Sequence, residues 1–208
     1  IIVNDCSTHD YSKQINKFKG LLKIREIKLD KNSGPGTARR VGFENSNKEY
    51  VTWIDADDTF AGAFALEQLW SALTQNRHLD AVFGTFLEET GNMEIPFVPH
   101  TNDCVWMFGK MYRREFLDHY NIKMNDTRSN EDMGFNQLCI ACSDNISFLD
   151  SVVYYWHSTE ESITRKADND YQFKGLKGYI ENHIWAQEEC VKRNIHLKES
   201  RIVALVDA

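Results

Sequence analysis

A chain of 208 residues fits a single domain, and 42% hydrophobic content with 12% aromatics supplies a sizeable core. A formal net charge of -7 excludes a non-specific nucleic-acid binder, which needs a surplus of lysine and arginine on one face. No run of about eighteen apolar residues occurs, so no segment reads as a membrane-spanning helix, although peripheral attachment stays open.

Ile1, Ile2 and Val3 form a short apolar run that stops at Asn4-Asp5-Cys6-Ser7-Thr8, the turn chemistry expected where a buried strand ends and a helix is capped. A helix to about residue 22, a strand over residues 24–29 and a flexible loop over residues 32–37 follow, and Thr37 opens a helix carrying Ala38, Arg39 and Arg40. Residues 50–54 are aromatic and β-branched, a strong strand signal, with Asp55 to Thr59 at its carboxyl end. Residues 63–76 have helical apolar spacing and residues 81–86 read as a strand. Residues 91–104, with Pro96 and Pro99, read as loop. Helices are expected near residues 114–120 and just after Asn130-Glu131-Asp132, a strand over 148–156 and a long amphipathic helix over most of 168–193. Strands alternating with helices predict an α/β fold with a mainly parallel sheet. Of five cysteines only Cys139 and Cys142 share a Cys-x-x-Cys spacing, and with no second pair they read as core thiols in a reducing compartment rather than zinc ligands.

Asp55, Asp57 and Asp58 place three carboxylates within four positions after a buried strand, where the loops of an open parallel sheet form a ligand crevice. A hard divalent cation, Mg²⁺ or Mn²⁺, completed by phosphate oxygens, would relieve their repulsion. A solvated acidic turn is the plainer reading. The same residues fit the nucleophile loop of haloacid-dehalogenase-type phosphatases, with Asp55 attacking phosphate, but that loop belongs on the first core strand, and two strand-helix units already precede it here. An EF-hand fails because Phe60 stands where a glycine is required.

Taken together, Val3-Asn4-Asp5-Cys6-Ser7-Thr8, Asn32-Ser33-Gly34-Pro35-Gly36-Thr37-Ala38-Arg39 and Glu49-Tyr50-Val51-Thr52-Trp53-Ile54-Asp55-Ala56-Asp57-Asp58 resemble, in order and spacing, the nucleotide-binding half of family 2 glycosyltransferases of the GT-A fold. The likeness continues through Gly109-Lys110-Met111-Tyr112-Arg113-Arg114, Asn130-Glu131-Asp132, Tyr154-Tyr155-Trp156-His157 and Ser162-Ile163-Thr164-Arg165.

The resemblance implies an inverting, metal-dependent transfer from a UDP-sugar to a hydroxyl of a glycan or lipid-linked acceptor in surface polysaccharide synthesis. It implies a cytoplasmic location, at the inner face of a membrane. Residues 1–165 would form the catalytic domain, with 1–88 the nucleotide-binding half and 89–165 the acceptor half, and 166–208 a helical extension. Asp5 and Ser7 would serve the nucleotide, with Arg39 against it. Asp57 would contact ribose or metal, and Asp58 would bind the metal, Mn²⁺ or Mg²⁺. Asp132 would be the catalytic base with Glu131 steering the acceptor, while His157 and Arg165 would lie near the metal and diphosphate. Departures are Asn4-Asp5-Cys6 where the family has Asp-Asp-Gly, and Arg39-Arg40 where it has Arg-Asn. The family also opens with a strand that would lie beside Ile1-Ile2-Val3, so a longer native amino end is expected. The apolar run 202–206 suggests a longer carboxyl end.

Overall fold

The computed structural model describes residues 1–158 and 169–195. In chain order the elements are β1 (Ile2–Asn4), α1 (Ser12–Asn16), β2 (Glu26–Lys28), α2 (Pro35–Glu44), β3 (Tyr50–Val51), β4 (Thr59–Phe60) and α3 (Ala65–Gln75). They continue with β5 (Ala81–Glu89), β6 (Phe97–His100), β7 (Lys110–Arg113), α4 (Arg114–His119), α5 (Glu131–Cys142), β8 (Ile146–Trp156) and α6 (Asn169–Lys192).

β1 and β2 pair in parallel as a two-stranded sheet, while β3, β7, β5, β8 and β4 lie side by side in a six-stranded sheet whose remaining member, β6, pairs with β5. β5 and β8 run parallel, as an α/β chain predicts, whereas β3–β7, β5–β7, β5–β6 and β4–β8 are antiparallel. The short return from β5 to β6 permits only the antiparallel arrangement, because parallel neighbours need a long crossover. Among the described residues no strand pairing joins the two sheets.

β5 is the organising strand, and its alternate residues feed two cores. Ala81 and Phe83 face one cluster with Tyr112, Phe116, Phe135 and Leu138, under α4 and α5. Val82 and Phe86 face another with Leu69, Leu73, Met111, Val153 and Tyr154, under α3. Both faces being covered explains why β5 reads as a continuous apolar run rather than an alternating one. α6 contributes Cys190 to the first cluster. Cys139 and Cys142 are buried free thiols, as expected, and Cys190 is a third.

Several boundaries differ from the expectations, beginning with α1, which ends at Asn16 and not near residue 22. α2 begins at Pro35, not Thr37: Gly34 (φ 91°) is the N-cap and Pro35 sits in the first turn, where its missing N–H has no helical partner to lose. The stretch expected as loop contains β6, which is tolerable for Pro99 because, among the described residues, β6 pairs with β5 alone and is an edge strand. The strand over 50–54 narrows to Tyr50–Val51, since ladder partners on β7 stop at Tyr112.

Candidate functional site

β1 ends in the loop that carries Asp5. Its two carboxylate oxygens accept the backbone N–H groups of Ser33 and Gly34, each at 2.8 Å, which ties the β1 end to the entrance of α2. Cys6, where the family pattern has glycine, adopts φ 60°, a left-handed conformation costly for a side chain with a Cβ. Ser7 is exposed, and its backbone N–H donates to Asn4 Oδ1 at 2.8 Å.

α2 then packs so tightly that a Cβ on Gly36 would lie 2.4 Å from the Asn125 carbonyl and 3.0 Å from Glu131 Cγ. That approach brings Arg39, one turn on, between two loops remote in sequence. One guanidinium nitrogen donates to both oxygens of Asp55 at 2.7 and 2.8 Å, and the other donates to Glu131 Oε1 at 2.5 Å. Burial works against the charge on Arg39, but Asp55, Glu131 and Asp132 outweigh it and raise its pKa. Trp53, packed on Phe43, Tyr112 and Phe135, supports this end of α2 and donates its indole N–H to the Arg39 carbonyl at 3.4 Å.

The three carboxylates after β3 sit in different surroundings. Asp55 is held by Arg39, and Asp57 is exposed. Asp58 is 8% exposed, and its oxygens accept the Tyr154 hydroxyl at 2.7 Å and the His157 backbone N–H at 2.9 Å. Burial raises the Asp58 pKa to about 6, with Asp55 and Asp57 adding to the rise and the two hydrogen bonds opposing it. Tyr154 also accepts the Asp55 backbone N–H at 3.2 Å; burial and these carboxylates push its own pKa up, so the hydroxyl remains a donor.

Glu131 and Asp132 open α5 directly after Asn130, which is left-handed at φ 59°. Both carboxylates are buried, at 4% and 8% exposure. Burial, with Glu131 adding to it, raises the Asp132 pKa to about 7 against the opposing pull of Arg39 and the Met133 N–H. Arg39 thus stands between a buried carboxyl pair at the start of α5, one member of which is raised toward neutrality, and the Asp55–Asp58 loop.

The profile of one known family, described as glycosyl transferase family 2, matches residues 1–130. The chain belongs to glycosyl transferase family 2. Among curated relatives, the succinoglycan biosynthesis protein ExoO of Rhizobium meliloti is 26% identical over 187 residues, covering 79% of this chain and 53% of the relative. The poly(ribitol-phosphate) beta-N-acetylglucosaminyltransferase TarS of Staphylococcus aureus is 24% identical over 175 residues, covering 77% of this chain and 30% of TarS. This chain thus spans about half of the first and under a third of the second. The crystal structure of S. aureus TarS 1-349 in complex with UDP-GlcNAc superposes with a TM-score of 0.73 at 22% identity, over 95% of this chain and 58% of that one. The mannosyltransferase PcManGT of Pyrobaculum calidifontis, in complex with GDP-Man and Mn2+, superposes at 0.57 with 11% identity, over 99% of this chain and 65% of that one. The fold is therefore GT-A-like, with parallel strands flanked by helices.

For a cation, this family 2 chain offers carboxylates without a closed cage. Among the described residues no three His, Cys, Asp or Glu side chains converge on one point. His157 presents its backbone to Asp58, while its ring nitrogens face Thr59 Oγ1 at 2.8 Å and Glu89 Oε2 at 3.2 Å. Asp58 still fits: each oxygen accepts one hydrogen bond and keeps a further lone pair, and Mg²⁺-type ions are characteristically held by one or two carboxylates with the rest of the shell from phosphate and water. Arg165, expected near the diphosphate, lies outside the described residues with Ser162, Ile163 and Thr164.

Several positioning residues were not singled out from sequence. Tyr154 reads as core, and only the rule that a buried phenol finds a partner hints at its bond to Asp58. Asn182 of α6 is fully buried and donates to Thr127 Oγ1 at 2.8 Å and the Ser129 carbonyl at 2.9 Å, fixing the segment that leads into Asp132.

Proposed function

We propose that this chain is the catalytic part of an inverting glycosyltransferase that moves a hexosyl or N-acetylhexosaminyl group from a UDP-sugar to a hydroxyl of a glycan or lipid-linked acceptor in surface polysaccharide synthesis. The supporting observation is the Arg39 bridge, which sets the Asp55–Asp58 loop opposite the Glu131–Asp132 helix start across a single guanidinium. Relatives named for succinoglycan biosynthesis and for N-acetylglucosamine transfer, and a structural neighbour bound to UDP-GlcNAc, point to the same chemistry.

Asp132 takes the proton of the acceptor hydroxyl as that oxygen attacks the anomeric carbon, and UDP departs from the opposite face with the bonding electrons. Its raised pKa suits this role, since a base near neutrality balances availability against proton affinity. Glu131, neutralised by Arg39, orients the acceptor. Asp58 and Asp57 would hold the Mn²⁺ or Mg²⁺, whose chemistry is to offset charge growing on the departing diphosphate. Asp5, Ser7 and Arg39 form the nucleotide side, Asp5 by fixing the 33–34 turn and Arg39 by holding Asp55; Arg165 completes it near the diphosphate. Residues 1–165 act as the catalytic domain and 166–208 as a helical extension, of which α6 packs against α5. The location proposed is cytoplasmic, at the inner membrane face; among the described residues no helix is long and apolar enough to cross a membrane.

The phosphatase reading needs a nucleophilic Asp55, and the Arg39 guanidinium, 2.7 and 2.8 Å from its two oxygens, draws on their charge and makes them poorer nucleophiles. A thermal-shift screen of nucleotide sugars with Mn²⁺ tests the proposal: a UDP-sugar raises the melting temperature in a concentration-dependent way. Stabilisation by none of them counts against it.

A further inference from the structure

Residues 101–109 join β6 to β7 and hold a buried polar cluster that the proposed chemistry does not use. Lys110 is fully buried, its ammonium 3.0 Å from Asp103 Oδ1, 2.5 Å from the Trp106 carbonyl and 4.9 Å from the centroid of the Phe83 ring. The same Asp103 oxygen accepts the backbone N–H groups of Val105 at 3.1 Å and Trp106 at 2.9 Å. From α5, Asn136 donates to the carbonyls of Val105 and Trp106, both at 2.9 Å, and accepts the Tyr112 hydroxyl at 2.5 Å. Three side chains thus saturate the N–H and C=O groups of two consecutive loop residues.

A buried ion pair is a poor way to gain stability, because desolvation cancels most of the attraction; its return is a single geometry. The geometry fixed here is that of Trp106. Its ring, half-buried, lies 4.8 Å from Trp156 and 5.7 Å from Phe108. Trp156 precedes His157, whose backbone N–H holds Asp58, and Asn136 stands one helical turn beyond Asp132. The clamped loop is therefore tied on one side to the β8 end that precedes His157 and on the other to the helix that begins with Glu131 and Asp132.

We propose that Lys110, with Asp103 and Asn136, is a positioning residue that holds Trp106 as the wall against which the transferred pyranose of a UDP-sugar packs. The apolar faces of a pyranose suit an indole surface, and the UDP portion makes no use of this wall. The proposal rests on the donor-site reading above.

Calorimetric titration of the full chain in Mn²⁺ with UDP, and with a panel of UDP-hexoses and UDP-N-acetylhexosamines, separates the two ideas. In Lys110→Met, which keeps the stem and removes the charge, UDP affinity stays at the wild-type value. Affinity for the UDP-sugar that wild type prefers falls about tenfold, and UDP release in turnover falls about 100-fold, as for a reacting group displaced by roughly 1 Å. Trp106→Ala leaves the backbone clamp in place and gives the same split even where Lys110→Met folds poorly. Equal loss for UDP and UDP-sugar in Lys110→Met means a merely structural lysine and overturns the proposal, as does an unchanged ratio in Trp106→Ala. Failure of wild type to bind UDP at all overturns the donor-site reading itself.

Discussion

The donor-side carboxylates and the base-side carboxylates differ in how much of their final environment the protein supplies. Asp132 and Glu131 are enclosed at the start of α5, with Arg39 and a backbone N–H already aimed at them. On the proposed donor side Asp57 is exposed, and among the described residues Asp58 is held by Tyr154 and His157 at the end of β8. Asp58 and Asp132 are equally buried, so the contrast lies in their partners. A guanidinium stands against the Glu131–Asp132 pair, whereas neutral donors, the Tyr154 hydroxyl and the His157 N–H, stand against Asp58, which on the proposed function leaves the charge there to be met by a cation. Arg39 is where the two strategies meet, one guanidinium balancing a carboxylate from each.

The largest expected effect falls on the base side. Asp132→Asn lowers UDP-sugar turnover by about 10³-fold while UDP binding in Mn²⁺ is unchanged; a matching loss of UDP affinity would erase the division between the two ends. The same variant has an opposite effect on stability. Because the folded-state pKa of Asp132 is raised to about 7, its stabilising contribution is present below the unfolded value and is lost as pH rises through 7. Asp132→Asn therefore melts above wild type at pH 8, and the gap closes toward pH 4. Wild-type turnover follows the reverse course, falling as pH drops below about 7 and levelling off above it.

Arg39→Met attacks the bridge. It leaves Asp55 and the buried Glu131 without their cation, at a cost of about 3–5 kcal/mol in urea unfolding. A loss below about 1 kcal/mol, the range of an exposed pair, would show the bridge to be dispensable.

On the donor side the effects are smaller. Tyr154→Phe removes the hydroxyl that serves both Asp58 and the Asp55 N–H, and weakens Mn²⁺-dependent UDP binding about tenfold, the scale of one charged hydrogen bond. His157→Gln is smallest, under about threefold, because the backbone rather than the imidazole faces Asp58. Abolished binding in His157→Gln would instead place the imidazole on the cation.

What the sequence made legible follows from the range of the forces involved. The Asp55–Asp58 crowding, the Asn130-Glu131-Asp132 helix start and the β5 apolar run are local patterns, and each appears where expected. The resemblance singles out Arg39 for the nucleotide but gives no hint of a bridge, because Asp55 and Glu131 are 16 and 92 residues away and the close packing at Gly36 brings them together. Lys110, Asn136 and Asn182 were hidden for a related reason: a polar residue within an apolar element reads as solvent-facing until the buried carbonyls it satisfies are located. β6 was masked by Pro99, whose cost vanishes at an edge position that periodicity does not reveal.

The central claim, that Asp58 holds a cation which in turn holds a nucleoside diphosphate, is tested most directly by calorimetric titration of UDP into wild type and Asp58→Ala, each with Mn²⁺ and with a chelator, their folding checked by circular dichroism. UDP binding by wild type in Mn²⁺ alone, lost on chelation and lost in folded Asp58→Ala, is the predicted result. Binding that persists without Mn²⁺ and is indifferent to Asp58→Ala would contradict it.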